Sequence, residues 1–336
     1  MKKYRKLKIL MEVLSVVVLF MFTINIIPVK PNVESNPFVV EKGELPLIAA
    51  RGGGGVNNPA YTMLAFRSAV KVAEAQILTG NLYLTKDGQL VLNSDAYINK
   101  NCNINGELLL ADVELLCETE ENCRFIADMT LEELKQYNFG FYFADSKGNR
   151  PYKEPFSTEA LGLQICTLEE VFEEFYEDYP ELMFILEIGD EVEMGYKACD
   201  TLNSVLNKYS EYKDQIVVGS ANKEIESELK TKYPELLRRG NTGSAVKFII
   251  TQYLGVNILN RGDYASLQMP QNFSFGITFK LDNPTIMRRA NKRNISVQYY
   301  DVNTSKDMRT LINRGCDCII TDNPKLLRRV LGEYIK

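Results

Sequence analysis

From Leu45 onward the chain alternates short apolar runs with amphipathic stretches of helical period. Such alternation predicts a parallel sheet with helical crossovers. The first apolar run, 45–50 (LPLIAA), leads into four glycines, and a helix is expected from Thr62, with Met63, Leu64, Phe66, Val70 and Ala73 on one face. The run 81–93 contains Asp87-Gly88, the signature of a tight hairpin. Thr130 to Glu133 and Thr167 to Glu170 each spell a capping box. After the second box, Leu168, Val171, Phe172 and Phe175 recur at helical spacing. Further strands are expected over 182–188, 215–220, 245–251, 274–279, 295–302 and 316–321. Asn283-Pro284 and Asn323-Pro324 read as a cap plus first-turn proline, and Gly315 as a helix stop. The pattern predicts an α/β fold, an eight-stranded (β/α) barrel over 45–336, with an irregular insertion around 100–160.

The N-terminus follows a different pattern. Residues 1–8 carry Lys2, Lys3, Arg5, Lys6 and Lys8, a basic tail expected on the cytoplasmic side. Residues 9–29 then form an apolar run. A bilayer-spanning helix needs about 20 such residues. The run ends in Ile26-Ile27-Pro28-Val29 rather than in the small residues of a cleavage site, so an uncleaved anchor is expected instead of a signal peptide. The basic excess before it predicts a single-pass cell-membrane protein, N-terminus inside and barrel outside the cytoplasm. Residues 30–44 read as a polar linker.

Composition narrows the chemistry. The 336 residues are 45% hydrophobic and 25% charged, with a net charge of -5 that points to no nucleic-acid partner. There is no Trp and no His. The second absence removes the commonest general acid/base, the commonest nitrogen ligand for metals and any Ser-His or Cys-His dyad. The seven cysteines show no zinc spacing and read mainly as small core residues. Cys102, Cys117 and Cys123 cluster in the insertion, where one pair can form a disulfide outside the cytoplasm.

In a barrel of this kind, chemistry sits at the C-terminal strand ends. Here those ends read Ala50-Arg51-Gly52, Thr79-Gly80-Asn81, Asn93-Ser94-Asp95, Glu187-Ile188-Gly189, Gly219-Ser220, Tyr300-Asp301 and Thr321-Asp322. Together with IAARG, NPAYTMLAF, LTKDGQLV, DMTLEELK, CTLEEVF, LEIG and GCDCIITDNP, the series resembles the glycerophosphodiester phosphodiesterase family over nearly all of 46–334. The resemblance implies hydrolysis of glycerophosphodiesters to glycerol 3-phosphate and an alcohol. It implies two His for acid/base work and a divalent cation held by a Glu, an Asp and a further Glu. This chain has Ala50 and Ser94 at the His positions, Thr79 and Asn81 at the first two metal-ligand positions, and Gly189 where the family has Lys. Arg51, Gly52, Asp95 and Glu187 remain.

These departures predict a degenerate member: no catalytic residue, no metal site, no cofactor, and a barrel that binds a phosphate- or carboxylate-bearing small molecule or a protein partner. Arg51, Asn81, Asp95, Glu187 and Tyr300 are the candidate ligand-binding residues. The alternatives are a phosphodiesterase rebuilt on substitutes such as Asp95, Glu187 and Asp190 or Glu191, and an interaction protein whose mouth is plugged by Tyr61 or by the insertion. Arg51 is suited to forking an anion, or else to an ion pair with Glu187. Gly52 to Gly55 form either an anion cradle or a flexible space-filling loop. Of Tyr299 and Tyr300, one must face the core. The basic stretch Arg288, Arg289, Lys292 and Arg293 reads as a solvated face with a lesser claim on lipid headgroups.

Overall fold

The computed structural model describes residues 2–26, 28–98, 103–104, 124–253, 256, 260, 262–275 and 277–335. Eight parallel strands close on themselves: β1 Leu47–Arg51, β2 Ile77–Leu84, β3 Met183–Ile188, β4 Ile216–Ser220, β5 Leu237–Gly240, β6 Ser266–Met269, β7 Ser296–Tyr299 and β8 Cys318–Thr321. The first strand pairs with both the second, Ala49 beside Ile77, and the last, Leu47 beside Cys318. This is the expected barrel. The Asp87-Gly88 turn folds Leu90–Asn93 back as an antiparallel strand beside β2.

Local signals explain the helix boundaries. The helix Met63–Lys71 is capped by Thr62, and Leu168–Phe175 opens on the Thr167–Glu170 capping box. Pro284–Asn291 and Pro324–Leu331 start on Asn-Pro, and Ser305–Arg314 stops at left-handed Gly315. The other Thr-x-x-Glu box opens the one-turn helix Leu131–Leu134. Its Leu134 packs with Tyr83, Val91 and Ile165 against the hairpin. Cys166, Cys199, Cys316 and Cys318 are buried and free, while Cys102, Cys117 and Cys123 lie outside the described residues, as does the disulfide expected among them.

Four expectations are corrected. Residues 245–251 are not a strand but the middle of the helix Thr242–Tyr253, and the fifth strand is the preceding Leu-Arg-Arg-Gly. Residues 274–279 belong to a two-stranded hairpin, Asn272–Phe275 with Ile277–Lys280, and the barrel strand is Ser266–Met269. Short apolar runs do not distinguish strand from helix by period alone. Third, the stretch 30–44 does not behave as a linker: Asn36 is buried and its Nδ2 donates 2.8 Å bonds to the carbonyls of Ala265 and Asn294. Phe38, fully buried, joins Ala49, Ile77, Met183, Val217 and Cys318 inside the barrel as its floor. Fourth, the membrane span over 9–29 is not borne out. Lys2–Ile26 is one helix, but among the described residues no helix is long and apolar enough to cross a membrane. Glu12 places a charge within the run, and the less polar stretch after it, Val13–Phe22, is shorter than the about 20 residues needed.

The floor is fastened by a buried carboxylate. Asp317 accepts from Val40 N at 3.2 Å, Asn291 Nδ2 at 3.1 Å and Val297 N at 2.7 Å. Burial pushes its carboxyl up to about 7 against those three bonds. The folded chain therefore holds this proton more tightly than the unfolded chain. Its contribution to stability is complete below the unfolded carboxylate range and is lost as pH rises toward 7. In urea titrations, wild type is expected to lose up to about 4 kcal/mol relative to Asp317→Asn between pH 4 and 7. Parallel pH profiles of the two proteins would refute the assignment.

Candidate ligand-binding cleft

Inside the barrel, alternation places Ala49, Ile77, Met183, Ile185, Val217, Cys318 and Ile320 in an apolar layer. Two residues further along the strands, the same inward row turns polar. Arg51, Thr79, Asn81, Glu187, Arg239, Gln268 and Tyr300 line a cleft of about 1660 Å³ at the C-terminal end. That exceeds the roughly 300–1,000 Å³ of ordinary small-molecule pockets. Tyr61 forms part of its wall and does not seal it; among the described residues of the insertion, 103–104 and 124–160, none lines the cleft, and 105–123 lie outside the described residues.

The charges in the mouth are paired with one another. Arg51 forks Asp322, Nε to Oδ1 at 2.8 Å and Nη2 to Oδ2 at 2.7 Å, and gives Nη1 to Asp301 at 2.5 Å. Asn303 completes the group: its Nδ2 donates to Asp322 Oδ2 at 2.7 Å, and its Oδ1 accepts from Thr321 Oγ1 and from Asp322 N. Burial alone would raise the Asp322 carboxyl, but the bond and charge of Arg51 carry it below its ordinary value. The Arg51 guanidinium is held more firmly protonated, first by its bond to Asp322. Of the two roles expected for Arg51, an anion fork or an ion pair with Glu187, the second does not form: Glu187 accepts from Arg239 Nη1 at 2.9 Å.

Arg239 heads a polar chain across the interior. It also donates to Gln268 Oε1 at 3.2 Å, Gln268 Nε2 donates to Gln298 Oε1 at 3.0 Å, and Gln298 Nε2 to Ser296 Oγ at 3.3 Å. The sequence did not reveal Arg239 because its strand went unrecognised. The available signal was the alternation Leu237-Arg238-Arg239-Gly240, with Arg238 turned outward to Asp263 at 2.8 Å.

Of the candidates, the structure gathers Arg51, Asn81, Glu187 and Tyr300 around the cleft. Asp95 is not among the lining residues; it accepts from the hydroxyl of Ser94, which is. Asp190 is buried, takes Leu84 N at 2.6 Å, and has its carboxyl pushed up to about 6 by desolvation. Glu191 is the cap residue of the helix Val192–Lys208. Ala50 is fully buried in the layer between sheet and helices and does not line the cleft.

Two tyrosines fill space at the strand ends. A Cβ on Gly52 would come within 2.8 Å of the Tyr61 ring, and one on Gly189 within 2.4 Å of the Tyr83 ring. The glycine run is neither cradle nor loose loop. The N–H groups of Gly52, Gly53 and Gly54 donate to the carbonyls of Thr79, Ala50 and Arg51. Gly54, at φ +94, lies where a Cβ would meet Pro324 at 2.6 Å. Tyr299 is the core member of its pair and donates to Leu281 O at 2.8 Å. The basic stretch 288–293 is not wholly solvated: Arg293 is buried, and Arg289 donates to Gln252 O at 2.8 Å.

A divalent cation does not fit these donors. Glu187 is bonded to Arg239, and Asn81 directs its N–H toward Ser94 O at 3.0 Å. Thr79 adds only a neutral hydroxyl, while hard cations take six or more oxygens, several of them charged. Among the described residues, no group of three or more His, Cys, Asp or Glu side chains is placed to hold a metal.

The model of the glycerophosphoryl diester phosphodiesterase family matches residues 51–326. A glycerophosphodiester phosphodiesterase of Bacillus subtilis (strain 168) is 23% identical over 291 residues, covering 85% of this chain and 86% of its own length. One from Caldanaerobacter subterraneus subsp. tengcongensis is 24% identical over 281 residues, 84% of this chain and 96% of its own. Among solved structures, a glycerophosphoryl diester phosphodiesterase domain from Mycobacterium tuberculosis superposes with a TM-score of 0.67 at 16% identity, over 85% of this chain and 99% of that one. An Oleispira antarctica phosphodiesterase, solved with its product sn-glycerol-3-phosphate, gives 0.58 at 18% identity, over 86% and 97%.

The fork gives a direct test of the mouth. Asp322→Asn retains the shape but loses the charge opposite Arg51 and sets an N–H against it. A stability loss of about 1–3 kcal/mol is expected in urea unfolding. A change below about 0.5 kcal/mol would show that the fork contributes nothing.

Proposed function

Because the chain belongs to the glycerophosphoryl diester phosphodiesterase family, we propose that its barrel retains a binding cleft for a phosphate- or carboxylate-bearing ligand without hydrolysing it. The observation that carries this reading is the internal pairing of the mouth. Diester cleavage needs a base for the attacking oxygen, an acid for the leaving oxygen and compensation of developing charge. Ala50 offers no proton chemistry, and Ser94 is engaged with Asp95. The strand-end carboxylates Glu187 and Asp322 are each bonded to an arginine.

A rebuilt hydrolase would be recognised by carboxylates converging on Arg51, and Asp301 and Asp322 do converge there. They do not supply the chemistry. Asp322 is held below its ordinary value and is no acid near neutrality, its two oxygens are both bonded to the guanidinium, and Asp301 is bonded to it through Oδ1. Each acid or base is worth about 10²- to 10⁴-fold, so losing both leaves ligand binding and little else.

The reading includes a tether. In Lys2–Ile26 the exposed Ile9, Leu10, Met11, Val18 and Leu19 surround the helix rather than forming one stripe. A helix apolar on every side suits lipid or a core, not water. Near its basic end, Glu12 lies 3.9 Å from Lys8, which lessens the cost of its charge.

Two measurements follow. Purified protein given glycerophosphocholine or glycerophosphoethanolamine, with and without Ca²⁺, Mg²⁺ and Mn²⁺, should release no glycerol 3-phosphate above a buffer control. Metal-dependent release abolished by Glu187→Ala would overturn the reading. In cell fractionation the chain should stay with the membrane pellet through a high-salt wash, and its appearance in the soluble fraction would remove the tether.

A further inference from the structure

We infer that the cleft takes a single-chain amphiphile with an anionic headgroup, the head at the polar mouth and the chain on an apolar shelf beside it. This rests on the phosphate-binding reading above and adds a hydrophobic half to the ligand.

The shelf is a second apolar face of one helix. In Thr242–Tyr253, the residues Ala245, Phe248 and Gln252 are buried against the barrel. Val246, Ile249, Ile250 and Tyr253 follow at intervals of three and four, a separate stripe, and all four line the cleft. Val246, Ile250 and Tyr253 are 47%, 51% and 56% exposed. Phe273, on the hairpin Asn272–Phe275, lines the same cleft and is 53% exposed. Outside the N-terminal helix the described chain exposes nine large hydrophobic side chains, and four of them meet here. Scattered single apolar residues need no explanation, but a convergence of this kind beside a polar mouth marks a binding surface.

Charge selects the occupant. The cleft is lined by five basic side chains; Arg51 is answered by Asp301 and Asp322 and Arg239 by Glu187, which leaves Lys223, Lys280 and Arg314 against Asp282. Lys223 and Lys280 are two of the five, and neither is in an ion pair among the described residues. A neutral apolar ligand would leave these cations unanswered, and a small anion such as free phosphate would leave the shelf in water. A phosphate monoester carrying one alkyl or acyl chain satisfies both halves.

The test uses the full chain in phosphatidylcholine nanodiscs. It is titrated calorimetrically with glycerol 3-phosphate and with its monoacyl esters of four, six and eight carbons, each below its aggregation limit. Affinity should rise by up to about fourfold per methylene, so that the octanoyl ester binds at least about 100-fold more tightly than glycerol 3-phosphate. Ile250→Asp, at an exposed position and with its unfolding midpoint checked, should flatten that rise to about tenfold or less. Equal affinity along the series, or the same rise in Ile250→Asp, would overturn the inference, the latter by assigning the gain to the disc. Binding seen only with vesicles and not with monomeric ester would overturn it in favour of a membrane-docking face. If glycerol 3-phosphate binds and the chain adds nothing, this inference fails and the phosphate-binding reading stands. If the esters bind and glycerol 3-phosphate does not, the shelf stands and that reading fails. No binding of any member would overturn both.

Discussion

Closure of the sheet is the constraint on which everything else depends. The first strand must find the last, Leu47 beside Cys318, across nearly the whole chain. A pairing so remote in sequence is entropically expensive to bring together and is stable only when side chains lock it. Both ends of that seam carry a lock. At the floor, Asp317 precedes β8 and ties it to β7 and to the segment holding Val40. At the mouth, Arg51 at the end of β1 reaches Asp322 and Asp301 beyond β8 and β7. The same arginine that a catalytic barrel could direct at substrate here serves the closure of the sheet.

That double duty explains the electrostatics of the cleft. Buried or half-buried charges are tolerated when paired, and removing one partner strands the other. A chain without His, with neutral side chains at Thr79 and Asn81, still has Arg51 and Arg239 on its inner row. Internal carboxylates and a ladder of glutamines answer them. The mouth is thereby stable without an ion or substrate, and its volume remains available.

Much of the fold was legible in the chain because its signals are local. Capping boxes, the Asn-Pro starts, Gly315 and the Asp87-Gly88 turn all act within four residues, and each formed as read. What escaped depends on tertiary context. Residues 245–251 look like a strand because their helix is apolar on two adjacent faces, one toward the barrel and one toward the cleft, which erases its period. The true fifth strand carries two arginines and four residues, too short and too polar to announce itself. The segment 30–44 is polar in composition, yet its Asn side chains satisfy barrel carbonyls that no sequence rule locates. The candidate site was legible as a set of strand ends, but who pairs with whom was not: Glu187 is one of two partners the sequence offers Arg51, and the structure gives each a different one.

The floor segment has a consequence for orientation. The N-terminal helix ends at Ile26, and by Asn32 the chain is already bonded to the barrel, through Arg293 O at 2.8 Å and Tyr264 O at 3.2 Å. Six residues reach about 20 Å at full extension. The segment attaches at the end opposite the cleft. The helix is thus joined to the barrel at its floor, and the opening of the cleft lies at the other end of the strands.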